Sequence, residues 1–232
     1  MDSRLVRIVN RIKDAKLRSE VNEFLQNPTI KIGGRSYSGI SMDKSPASLR
    51  QHHNYPGGFV EHTLALYELC MSLSRIVERI YKCRVDTDLV ICGVLLHDIF
   101  KPATYIQREG GYRRSALAER VDHLTLASAE LIRRGFPLDA VHVVTASHGQ
   151  YGPIGPMTIE ALICHLGDYT EAKLNGDVLN AARFMVREVT GEEAQELNGK
   201  QAFAIVRVKT DRGWEGLGEY FSRKDARANH AR

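Results

Sequence analysis

The sequence predicts a mainly α protein carrying one small β-hairpin. Three observations predict it. Apolar residues recur at helical spacing through most of the chain, Gly and Pro pairs interrupt those stretches, and one short segment reads as strand, turn, strand.

The first 26 residues read as a single amphipathic helix, with Leu5, Ile8, Val9, Ile12, Leu17, Val21, Phe24 and Leu25 spaced among charges. Asn27-Pro28 stops it. From Thr29 to Pro56, Gly, Ser and Pro dominate, and the segment reads as loop or short strand. After Gly57-Gly58 a long helix is expected from about Phe59 to Tyr81, then a more apolar one from about Asp88 to Phe100, ended by Lys101-Pro102. Thr104-Tyr105-Ile106, Glu109-Gly110-Gly111 and Tyr112 form the hairpin pattern. Helical patterns resume over Ala118–Arg134, Pro137–Ser147, Thr158–Leu174 and Asp177–Val189. Phe203–Val208 reads equally as strand or helix, so the C-terminal part is expected to be irregular or a short strand. The polar residues after Phe221, His230 among them, read as a frayed tail. The expected organisation is an N-terminal helix and loop over 1–44, a main helical domain over 45–190, and a C-terminal appendage over 191–232 with a basic tail.

The chain has 232 residues, 43% of them hydrophobic, enough for one domain with a substantial core. The net charge is +4, and residues 207–232 hold seven basic and four acidic side chains. The body is therefore nearly neutral, which argues against a nucleic-acid groove. The apolar run Val90–Leu96 is far short of the ~20 residues of a membrane span. Cys70, Cys83, Cys92 and Cys164 lack CxxC spacing and read as reduced packing thiols, so a soluble cytoplasmic protein is expected.

Nine histidines are the unusual count. His62, His97-Asp98, His123, His148 and Asp168 are separated by 35, 1, 25, 25 and 20 residues, so each successive helical segment supplies one imidazole or carboxylate group. These ligand types suit Fe, Mn, Co, Ni and Zn. Neighbours on a helix point about 100° apart, so His97 and Asp98 share an ion only if other helices close around it. A bundle with inward carboxylates and imidazoles is a known way to build a dinuclear site.

This pattern resembles the HD-domain metal-dependent phosphohydrolase superfamily, in the version that holds two metals. The likeness runs over residues 45–175. It is carried by Ser45-Pro46-Ala47-Ser48, His52-His53-Asn54, Gly57-Gly58-Phe59-Val60-Glu61-His62-Thr63, Leu95-Leu96-His97-Asp98-Ile99-Phe100-Lys101-Pro102, Asp122-His123-Leu124-Thr125-Leu126-Ala127 and the Glu160–Asn175 stretch. Within the superfamily the chain is similar to archaeal phosphodiesterases that open dihydroneopterin 2′,3′-cyclic phosphate. It is also similar to the HD part of bacterial 3′-5′ exoribonucleases. Where these relatives show His-His-Gly-Glu, this chain has Ser147-His148-Gly149-Gln150, and Phe100 stands near where they carry a glycine. The exoribonucleases precede the HD domain with an OB-fold, for which the residues before His62 leave no room.

The resemblance implies an HD helical bundle and a divalent-metal phosphodiesterase acting on a small phosphodiester, with nucleic acid not favoured, no membrane, and a homo-oligomer open. It implies two ions, Fe2+ or Mn2+ first, with Ni2+, Zn2+ or Mg2+ as options. His62, His97, Asp98 and Asp168 would hold the first ion. His123 and His148 would hold the second, with Asp98 bridging. Lys101, on the same helix face as His97 and Asp98, is assigned to phosphate oxygens, the alternative being a surface lysine at a helix end. His52, His53 and Tyr55 are candidates for the mouth of the site. His165 is either a donor to a ligand carboxylate or a packing residue, and His142 is structural. Lys173 is a substrate-side candidate, with Asn175, on the resemblance alone. The competing classes are oligonucleotide hydrolysis, oxygenase chemistry at a di-iron pair, and a non-catalytic binding module.

Overall fold

The computed structural model describes residues 2–109, 111–194 and 196–230, with side chains as far as Ser222. It is mainly helical, as expected. Two short helices open the chain, α1 (Ser3–Val9) and α2 (Ala15–Gln26). The single N-terminal helix read from the sequence is therefore broken. Asn10 caps α1. The Lys13 and Asp14 amides bond the Asp88 carboxylate at 2.8–3.0 Å, and Asp14 caps α2 through the Leu17 N–H. The apolar spacing survives the break because both helices turn their apolar faces to the same core.

Strands β1 (Ile30–Ile32) and β2 (Arg35–Tyr37) make an antiparallel hairpin in the Gly/Ser segment. Helix α3 (Gly58–Ile80) follows. Its entry needs glycine: Gly57 sits at φ 79°, and a Cβ on Gly58 would lie 2.1 Å from the His53 carbonyl oxygen. Helix α4 (Thr87–Leu96) is capped by Asp86 and buries Val90 through Leu96 on every side, as an all-round apolar helix must. It ends sooner than its pattern suggested. Residues 97–100 form turns, and α5 (Lys101–Thr104) starts afresh with Pro102 in its first turn.

The expected hairpin is β3 (Tyr105–Arg108) paired with β4 (Gly111–Arg114); Gly110 of its turn lies outside the described residues. Helix α6 (His123–Arg134) begins five residues later than expected, because Asp122 caps it by accepting the Leu124 and Thr125 N–H groups. Helix α7 (Leu138–Thr145) and a short 3-10 turn at Gly149–Tyr151 lead to α8 (Ile159–Thr190). The two helices read from the sequence on either side of Asn175-Gly176 are one. The C-terminal part is also a correction: instead of irregular chain or a short strand it is helix α9 (Gly199–His230), which holds Phe203–Val208 and is bent at Gly213. The residues read as a frayed tail are helical through His230, and residues 231–232 lie outside the described residues.

Helix α4 is surrounded by α2, α3, α7 and α8. The largest apolar cluster joins the first two helices to α4, α6 and α7, with Phe24 tilted against Phe100 and Phe136 at 5.7 and 6.2 Å. A separate cluster packs the second half of α8 on α9 through Leu179, Ala182, Val186, Ala202, Ile205 and Leu217, and Tyr55 belongs to it. The cysteines are free, three of them buried.

Candidate metal centre

Five local devices bring the six sequence-predicted ligands together. His62 lies in the second turn of α3, held by the glycine entry. His97 and Asp98 sit in the turn at the end of α4, where the helix has given way and both side chains swing inward. His123 is the first residue of α6, its position set by the Asp122 cap. His148 precedes the 3-10 turn, and Asp168 faces inward from α8.

Asp98 is the centre of the group. Its Oδ2 lies 3.3 Å from His97 Nε2 and 3.7 Å from His62 Nε2. Its Oδ1 lies 3.2 Å from His123 Nε2 and 3.7 Å from His148 Nε2. Asp168 closes the other side, with Oδ1 3.2 Å from His62 Nε2 and Oδ2 3.7 Å from His148 Nε2. The donor atoms thus fall into two sets that share Asp98: one with His62 and His97, the other with His123 and His148.

The donors fit a cation. Among the described residues, Asp98 Oδ1 and the Nε2 atoms of His62, His97 and His123 are buried and close no hydrogen bond of good geometry. Buried polar atoms left so are costly unless something answers them. The ring tautomers agree. His97 Nδ1 donates to the Val94 carbonyl at 3.2 Å, and His62 Nδ1 donates to Glu171 Oε2 at 2.5 Å. Each ring therefore presents Nε2 to the cluster, where a bound cation would displace the proton that the facing carboxylates favour.

The electrostatics agree as well. Burial disfavours the charged form of the Asp98 and Asp168 carboxylates, but the imidazoles around them outweigh it, with Lys101 adding to the effect at Asp98, and hold both carboxyls well below their usual range. Burial likewise opposes the His97 imidazolium, yet Asp98 and Asp168 push that ring up to about 10. A pocket whose carboxylates demand that much positive charge suits divalent ions.

Lys101 is buried and brings Nζ to 2.6 Å from Asp98 Oδ2, so it is no surface lysine. His52 packs its ring 5.0 Å from that of His62, with Nδ1 unpaired. Burial first, then His62 and Lys101, pushes its pKa down to about 3, which keeps it neutral. His53 and Tyr55, expected at the mouth, are instead buried behind His62. His53 Nε2 bonds Glu171 Oε1 and its Nδ1 bonds Tyr55 Oη, both at 2.7 Å. Lys173 is not brought to the cluster; it is exposed and paired with Asp177. Asn175 is buried and accepts the His53 backbone N–H at 2.7 Å. His165 bonds the Ser147 carbonyl at 2.9 Å rather than a ligand carboxylate, and so braces the turn that carries His148. His142 accepts the Met157 N–H, a structural role.

Glu171 was missed by the sequence reading. Its signal was its place three residues after Asp168 and four before Asn175, on one face of one helix.

A family model described as "HD domain" matches residues 59–173. The chain is also 35% identical, over 210 residues, to the dihydroneopterin 2′,3′-cyclic phosphate phosphodiesterase of Methanocaldococcus jannaschii, covering 90% of this chain and 84% of that protein. The chain belongs to the HD-domain family. It is a hydrolytic enzyme of the HD phosphohydrolase type. No solved structure matches it significantly. Among the described residues no helix is long and apolar enough to cross a membrane.

Proposed function

We propose that this HD protein is a phosphodiesterase that opens a small 2′,3′-cyclic phosphate, of the dihydroneopterin 2′,3′-cyclic phosphate type, with two divalent ions, Fe2+ or Mn2+. The observation that carries the reading is Asp98, whose two oxygens face two separate pairs of imidazoles. On this reading His62, His97, Asp98 and Asp168 would hold one ion, and His123 and His148, together with Asp98, would hold the other. The chemistry such ions supply when bound is Lewis acidity, which lowers the pKa of water and offsets charge on phosphoryl oxygens.

The chain's own groups do the rest. Asp98 orders both donor sets. Lys101, its ammonium fixed beside Asp98, attracts the non-bridging phosphate oxygens and offsets the charge they gain as water adds to phosphorus. His52, neutral at ordinary pH, can offer an N–H to a substrate oxygen without adding charge. The reaction adds water across one P–O bond: hydroxide goes to phosphorus and the proton to the released ribose-type oxygen. The identity to an enzyme of that name supports the substrate class.

The test is purified protein, metal-depleted and then reloaded with Mn2+ or Fe2+, given dihydroneopterin 2′,3′-cyclic phosphate. Ring opening to a monophosphate is expected, with none for Asp98→Asn at unchanged far-UV circular dichroism. Wild-type turnover by Asp98→Asn would overturn the site assignment, and inertness of the loaded wild type would overturn the substrate.

A further inference from the structure

We propose that Glu171, His53 and Tyr55 form a positioning relay that fixes the donor orientation of His62, and that the start of α9 at Gly199 is its outer anchor. The proposal rests on the reading of His62 as a metal ligand. It adds that the C-terminal helix, which supplies none of the six ligands, sets the quality of the metal site.

The relay is continuous. The Glu171 carboxylate accepts His62 Nδ1–H on one oxygen at 2.5 Å and His53 Nε2–H on the other at 2.7 Å. His53 Nδ1 faces Tyr55 Oη at 2.7 Å. The Tyr55 hydroxyl, Glu61 Oε1 and the Asn175 amide nitrogen converge on Gly199 at the start of α9. His62, Glu171, His53 and Tyr55 are all buried. A carboxylate behind a ligating imidazole fixes its tautomer and ring angle and raises its basicity. Here the carboxylate has a second imidazole behind it, and that imidazole has a tyrosine.

His53 is held for this task at a conformational cost. Its φ is 42°, a region that non-glycine residues seldom adopt. Two contacts hold it there: Asn175 Oδ1 takes its backbone N–H, and its carbonyl accepts the Ala47 N–H at 3.1 Å. With Oδ1 so engaged, the Asn175 amide nitrogen is left to face Tyr55.

The outer end has no spare room. A Cβ on Gly199 would lie 2.7 Å from Tyr55 Oη, 3.0 Å from Glu61 Oε1 and 3.2 Å from Asn175 Nδ2. A methyl group there must push the hydroxyl away from His53. The effect would reach His62 through two hydrogen-bonded side chains, without contact between Gly199 and any ligand.

The experiment measures Mn2+ affinity by chelator competition on metal-depleted full-length protein, for wild type, Glu171→Gln, Tyr55→Phe, Gly199→Ala and the surface variant Lys16→Ala. Glu171→Gln is expected to bind about 10–100-fold more weakly. Tyr55→Phe and Gly199→Ala are expected to lose several-fold, and Lys16→Ala nothing. In Zn2+-loaded protein, a downfield imidazole N–H proton resonance from the His62–Glu171 bond is expected in wild type and Lys16→Ala and is expected to vanish in Glu171→Gln. If Glu171→Gln does not fold, Tyr55→Phe and Gly199→Ala carry the test. Wild-type affinity in the folded variants overturns the relay even if the enzyme opens cyclic phosphates. Weakened affinity upholds it even if the loaded wild type proves inert toward them.

Discussion

Along one inward face of α8, the half from Asp168 to Asn175 presents polar groups and the half from Leu179 to Val186 presents apolar ones. Asp168, Glu171 and Asn175 point into the metal centre and the relay; Leu179, Ala182 and Val186 point into the packing against α9. The spacing of three and four residues never changes. The backbone therefore sets only which residues face inward, and their chemistry decides whether that face becomes a site or a core. An apolar face is stabilised by leaving water. A polar face costs free energy unless each group is answered, and here hydrogen bonds answer Glu171 and Asn175, while Lys101 pairs with Asp98 and the ligand imidazoles face the two aspartates.

The strongest way to sharpen this contrast is to remove charge from the polar half. Asp168→Asn should lower turnover by at least ~100-fold and weaken metal binding, because one member of the shared donor set loses its charge. Its metal-free melting temperature should fall, because the imidazoles that hold the Asp168 carboxyl well below its usual range lose their anionic partner. Metal titration and calorimetry on the same sample check both. A metal-free variant as stable as wild type would break the contrast.

Leu179→Ala tests the apolar half. Leu179 is fully buried, so the change should cost about 2–5 kcal/mol in urea unfolding while metal affinity of the folded protein stays near wild type. Gly213→Ala should cost less, about 1–3 kcal/mol, because φ 68°, ψ −169° is a conformation only glycine takes readily. It should leave Mn2+ affinity alone. Gly213 and Gly199 then become a matched pair in one helix, one acting on stability and the other on the metal site.

The smallest effect concerns a buried carboxylate that needs no metal. Glu130 accepts hydrogen bonds from Arg133 and Arg134 at 2.6–2.8 Å, and these arginines hold its carboxyl below the ordinary glutamate value. A depressed folded-state pKa contributes stability above the unfolded value, lost as pH falls through the folded one. Glu130→Gln should therefore melt slightly below wild type at pH 7, with the gap closing as pH drops below the ordinary glutamate range. A gap that widened in acid would contradict the assignment.

Much of the fold was legible because helical periodicity is a local property. The apolar stretch of α4 and the β3–β4 hairpin lie in short windows of sequence. The errors fell where distant groups override local signals. Asn175-Gly176 reads as a helix stop, but Asn175 spends its side chain on the His53 amide and Gly176 packs near the Gln51 carbonyl, so α8 runs on. Residues 10–14 read as helix, but the Asp88 carboxylate, more than seventy residues away, takes the Lys13 and Asp14 amides and stabilises the break. His53 and Tyr55 lie close to the predicted ligands in sequence, yet packing on α8 and α9 turns them behind the site rather than into its mouth.

By itself the sequence determined the helical class, the order of imidazole and carboxylate groups along successive helices, and the resemblance those groups carry. These depend on residue type and spacing, which the chain states directly. Tertiary structure alone decided that Asp98 turns one oxygen to each imidazole pair, that Lys101 is buried beside it, and that Glu171 links His62 to His53. Glu171 and His62 are 109 residues apart. A hydrogen bond at that separation exists only once the packing of α3 on α8 has set the distance, and no local pattern encodes it.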